Sequence, residues 1–131
     1  MKRISIFLVL AMGVLAGVAW SEPATVQIEG EVVDMRCYTT RGARGAEHQE
    51  CAARCLKNGQ PAGIVIGDDE LLTIVGSGQA FGPYAAKTVK LEGKRKDHTI
   101  VAEKMWVWEK ESWQAVALKY GAPESETSKM H

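Results

Sequence analysis

All three cysteines of the 131-residue chain and one of its three histidines fall within 19 consecutive residues. Thiolate and imidazole are the side chains that bind zinc and copper(I), so this stretch contains a candidate metal site. Residues 47–57 are rich in good helix formers. On a helix there, His48, Cys51 and Cys55 share one face, and Cys37 approaches the same face from the end of a strand. The spacing predicts a Cys3His site.

The predicted ion is zinc or copper. Copper(I) would gain possible thioether ligands from Met35 or Met105. The cysteine spacing fits no common iron–sulfur pattern, and haem c is excluded because no Cys-x2-Cys-His occurs. Asp34 stands three residues before Cys37. It is either a second-shell hydrogen-bond partner of His48 or a strand-end or helix-cap residue.

A disulfide is the alternative fate of these cysteines. A bond from Cys37 to Cys51 or Cys55 would tie the helix to the strand and contribute about 3 kcal/mol. Cys51 and Cys55 as a redox pair is a weaker interpretation, because redox motifs usually have two intervening residues rather than three. The odd cysteine count and the histidine on the same helix face favour metal, and both interpretations stay open.

The same residues resemble a family of small exported bacterial proteins. Its pattern is roughly Gly-x-Val-x-Asp-x-x-Cys, His-x-x-Cys-Ala-x-x-Cys and Gly-x-Pro-x-Gly, which residues 30–37, 48–55 and 58–63 match. The resemblance extends through residues 64–75 and 88–93, whereas the tryptophan-rich end and residues from 121 onward fall outside it. It implies an OB-like fold and an exported location but no activity. It marks five positions: Asp34, Cys37, His48, Cys51 and Cys55.

The first 21 residues predict a signal peptide. Lys2 and Arg3 precede the apolar stretch 4–18, and small residues follow up to Ser21. Its removal leaves 14 basic and 16 acidic residues, a formal net charge of −2. That charge is not typical of nucleic-acid binding or of attachment to anionic membranes, and no stable membrane span is expected after cleavage. The predicted location is periplasmic or secreted.

The remaining chain predicts one mainly β domain, residues 22–120, followed by a disordered tail, 121–131. Strands are expected at 25–35, 64–66, 71–75, 88–94 and 99–108, with a short helix or strand at 113–120. Residues 88–94 echo 25–31, because each alternates apolar and polar residues and then reaches a glycine, Gly30 in the first segment. The predicted fold is a small, partly open OB-like β-barrel with one short helix, 47–57, between strands 1 and 2.

A second candidate site is aromatic. Trp106 and Trp108 alternate along the last long strand, and together with Trp113 they could stack a ligand such as a sugar or simply pack against the sheet. Asp97 and His98 lie in a charged turn and form no persuasive hydrolase set. The sequence therefore favours a binding protein over an enzyme, with an envelope protein or a small ligand as its partner.

Overall fold

The structure is a computed structural model and describes residues 22–118. The predicted signal peptide, 1–21, and the tail, 121–131, lie outside these residues. Two α-helices and two 3-10 helices interrupt six strands: β1 (Ala24–Asp34), α1 (Met35–Arg41), the 3-10 helix Ala46–His48, α2 (Gln49–Lys57), β2 (Ala62–Ile66), β3 (Glu70–Ile74), the 3-10 helix Gly78–Tyr84, β4 (Thr88–Lys96), β5 (Thr99–Glu109) and β6 (Ser112–Val116). Within residues 22–118, no helix is long and apolar enough to cross a membrane.

The strands form one sheet that closes on itself. Their order is β3-β2-β1-β4-β5-β6, with antiparallel neighbours throughout. A parallel pairing of β3 with β5, at Thr73 with Thr99 and Ile74 with Ile100, joins the two ends of the five-stranded ring. The predicted mainly β, OB-like architecture with a short helix after the first strand is confirmed.

The inside of the ring is apolar. The alternation of β4 buries Val89, Leu91 and Gly93 and turns the residues between them outward. Helix α2 covers the core with Ala52 and Leu56. The largest buried side chains include Phe81, Leu56, Ile64, Leu72, Ile74, Leu91, Ile100 and Met105.

The two similar segments of the sequence lie side by side. In the antiparallel β1–β4 pair, Val26 faces Gly93, Ile28 faces Leu91 and Gly30 faces Val89. At Gly30 strand β1 passes from its pairing with β4 to its pairing with β2, and at Gly93 the β4–β5 register shifts by a bulge. Each glycine therefore marks a place where the strand changes course, as the sequence predicts.

Helix α1 was not predicted. The sequence predicts Cys37 at the end of a strand, but it lies in the first turn of a helix that runs to Arg41. Its sequence, Met-Arg-Cys-Tyr-Thr-Thr-Arg, contains few strong helix formers, so propensity gives little signal. The helix is set by its ends: Asp34 caps the first turn, and Gly42 ends it in the left-handed conformation at φ 64°.

Candidate metal centre

Cys37 is positioned by the capped start of α1. The Asp34 carboxylate accepts a hydrogen bond from the Cys37 backbone N–H at 2.9 Å. Asp34 is fully buried, and Cys37 is only 7% exposed. The Cys37 thiol therefore projects from the first turn of α1, directly after the end of β1.

Cys51 and Cys55 are positioned by α2. They are one helical turn apart and both half-buried, while Ala52 and Leu56 hold the neighbouring face of the helix in the core. The helix ends at Asn58, whose N–H donates to the Arg54 carbonyl at 3.0 Å. Because α2 is packed against the core, the backbone positions of Cys51 and Cys55 are fixed.

The loop between the helices is tied back to β1. The Glu31 carboxylate accepts from the backbone N–H of Gly45 and from Arg44 Nε, the latter at 3.1 Å. Arg44 also donates to the Asp68 carbonyl at 3.1 Å. This loop positions His48, whose backbone N–H donates to the Gly45 carbonyl at 3.0 Å.

The three cysteines meet. Their Sγ atoms all lie within 4.8 Å of one another, and we call them the thiol triad. Three thiolates bound to one ion at about 2.3 Å stand about 3.8–4.0 Å apart, so only a small adjustment separates the triad from a ligand shell. All three, which belong to the described residues, are free thiols.

His48 belongs to a second group that overlaps the first. Atoms of Asp34, Cys37 and His48 also lie within 4.8 Å of one another, and Cys37 is common to both groups. His48 Nε2 lies 3.2 Å from Asp34 Oδ2, so both carboxylate oxygens of the buried Asp34 have a partner. Asp34 therefore both caps α1 and contacts His48, the two alternatives that the sequence left open.

Charged neighbours surround the thiols. Arg41 Nη2 donates to Cys37 Sγ at 3.2 Å, and this contact raises the pKa of the guanidinium further above its usual range. Burial, followed by the nearby Asp34 and the other two thiols, raises the pKa of Cys55. Arg41 was missed from the sequence, although it lies one helical turn after Cys37.

The structure brings together all five residues singled out in the sequence. The geometry is compatible with a site for a thiophilic ion, and the buried Asp34 can orient the His48 ring. The methionines are placed differently. Met105 is buried in the core, and the Met35 sulfur packs against Gly63.

No family model, curated protein sequence or solved structure matches this chain.

The tryptophans form a separate groove on the outer face of the sheet. Trp108 is 46% exposed and meets Trp113 of β6 edge-to-face, with ring centroids 5.2 Å apart. Glu29 and Thr88 complete the lining of an open depression of about 450 Å³. Trp106 is half-buried on the same face but does not line the groove. Trp113, predicted from the sequence together with Trp106 and Trp108, lies opposite Trp108 in the β5–β6 pair.

Asp34 provides a test of how the site is supported. Asp34→Ala removes the α1 cap and the partner of His48, and should lower the free energy of unfolding of the metal-free protein by about 2 kcal/mol. Asp34→Asn is the matched control, because its amide oxygen can still accept from the Cys37 N–H, and it should lose less. Urea unfolding followed by circular dichroism measures both. Equal stability of wild type and Asp34→Ala would contradict the role of this carboxylate.

Proposed function

We propose that this protein is a small exported metal-binding protein. Cys37, Cys51 and Cys55 supply thiolates, and His48 is the candidate fourth ligand with Asp34 behind it as a second-shell residue. The ion is zinc or copper(I). The observation that carries the proposal is the convergence of three sulfurs within 4.8 Å from two separate helices.

The ion serves either to stabilise the fold or to be handled in the cell envelope. The packing of the domain favours a role in metal handling, because the hydrophobic core contains neither Cys51 nor Cys55. A domain with its own core can bind and release an ion without unfolding. Residues 1–21 and the resemblance to small exported bacterial proteins support a periplasmic or secreted location.

The test is the state of the cysteines in protein isolated from the periplasm. Elemental analysis should find about one zinc or copper ion per chain, and all three cysteines should alkylate after denaturation without reductant. Intact mass reports the thiol state independently. A metal-free protein with one alkylatable thiol and a mass two protons light would overturn the proposal.

That opposite result would favour a second function, a disulfide-stapled module that binds a partner or small ligand non-enzymatically. The groove at Trp108 and Trp113 is the observation in its favour, because an exposed indole ring beside a hydroxyl suits a sugar ring. Lys90 Nζ lies over the Trp113 ring at 4.2 Å, so Trp108 rather than Trp113 offers the open aromatic surface. Titration with soluble oligosaccharides should then change tryptophan fluorescence. Trp108→Ala should abolish the response, and Val101→Ala, which removes another exposed apolar side chain, should keep it. A wild-type protein that gives no response would rule out a sugar ligand.

A further inference from the structure

The arrangement of the ligands discriminates between the two candidate ions. The thiol triad and the group of Asp34, Cys37 and His48 are two overlapping sets, and His48 is placed in the second set with its Nε2 on the Asp34 carboxylate. A closed tetrahedral zinc site needs four ligands around one point. The described residues instead place three sulfurs together, and His48 is grouped with only one of them, Cys37.

We propose that the thiol triad is a three-coordinate copper(I) site and that His48 remains outside the copper's ligand set. This inference depends on the proposed metal-binding function and names its ion. Copper(I) is soft, favours thiolates and is satisfied by two or three of them. Structural zinc sites are almost always four-coordinate, so the same triad leaves zinc one protein ligand short.

Charge and hydrogen bonding fit this assignment. Copper(I) displaces the three thiol protons into solvent, which gives one monovalent cation bound by three thiolates and a net charge of −2 at the site. Arg41 Nη2, 3.2 Å from Cys37 Sγ, offsets part of that negative charge. His48 keeps its hydrogen bond to Asp34 and thereby holds the start of α2 against the start of α1.

Access to the triad is asymmetric. Cys37 is buried, whereas Cys51 and Cys55 are half-buried on α2. An ion in the triad is therefore fixed from the protein side by Cys37 and approachable from solvent beside the other two sulfurs. Such a site allows an incoming thiol or thioether of an acceptor to replace one thiolate at a time, as copper handling requires.

The experiment compares the copper(I) and zinc(II) affinities of the reduced protein under anaerobic conditions. Bicinchoninate competes for copper(I), and a chromophoric indicator competes for zinc. Wild type should bind about one copper(I) per chain. His48→Ala should retain copper(I) affinity within about threefold, and Cys51→Ser should lose more than about 100-fold. His98→Ala, a histidine in the exposed turn before β5, is the matched control.

X-ray absorption spectroscopy of the copper-loaded wild type identifies the ligand atoms directly. It needs no substituted protein, so misfolding of a variant cannot affect it. Three sulfur neighbours and no nitrogen are expected. A nitrogen neighbour, or a loss of copper(I) affinity of about tenfold or more in folded His48→Ala, would overturn the three-sulfur assignment while leaving metal binding intact. Zinc bound more tightly than copper(I), with His48 required, would do the same. Failure of the reduced wild type to bind either ion would overturn the proposed function itself.

Discussion

Cys37→Ser should reduce the affinity for both copper(I) and zinc(II) by at least about 100-fold, the largest effect expected of any single change in the site. Cys37 is the residue shared by the thiol triad and by the group of Asp34, Cys37 and His48. Serine is nearly isosteric, but its hydroxyl is not deprotonated near neutral pH and is a poor ligand for a soft ion. One substitution therefore disables both sets of ligands.

The matched comparison is Cys51→Ser, which spares the second group. It should lose copper(I) affinity but keep weak zinc binding through Asp34, Cys37 and His48. Circular dichroism of the metal-free variants verifies that both fold, because Cys37 is buried and its replacement can also cost stability. Equal zinc affinity of Cys37→Ser and wild type would show that Cys37 is not a ligand.

The sequence was sufficient for the parts of the fold that follow from periodicity. Alternating apolar residues and glycine positions located the first strand, the hairpin of β2 and β3, and strands β4 and β5 within a few residues. Residues 113–120 predict a short helix or strand, and the structure shows strand β6 there, Ser112–Val116. Propensity alone was ambiguous there, and pairing with β5 decides it.

Helix α1 shows where local signals fail. Four of its seven residues are poor helix formers, and the helix is defined by a buried aspartate that caps its first turn and a glycine that ends it. Asp34 and Gly42, eight residues apart, are the pair of signals from which it could have been predicted.

The residues of the candidate site were predictable from the sequence, but the division of these residues into two overlapping groups was not. The spacing of His48, Cys51 and Cys55 placed them on one helix face, and the structure brings Cys37 to them. Helical phase cannot reveal that His48, at the end of a 3-10 helix before α2, turns toward Asp34. That contact joins residues 14 positions apart, and it arises from tertiary structure.

Two glycines of the sheet, Gly30 and Gly93, give the second prediction with a large expected effect. A Cβ added at Gly93 would lie 2.0 Å from the Val101 carbonyl oxygen, and one at Gly30 would lie 2.3 Å from that of Val65. These neighbours are backbone atoms of β5 and β2, which cannot move without breaking the sheet. At both glycines the backbone of the neighbouring strand approaches closely, so glycine is required for space rather than for an unusual backbone torsion.

Gly93→Ala and Gly30→Ala should therefore each lower the free energy of unfolding by about 3 kcal/mol or more. The control is Gly67→Ala in the β2–β3 turn. Its added Cβ meets nothing within 4 Å, and the cost comes from φ +60° alone, about 1–2 kcal/mol. Urea unfolding of the metal-free proteins measures all three. A Gly93→Ala variant that is no less stable than Gly67→Ala would contradict the close approach of the β5 backbone to Gly93 at the bulge.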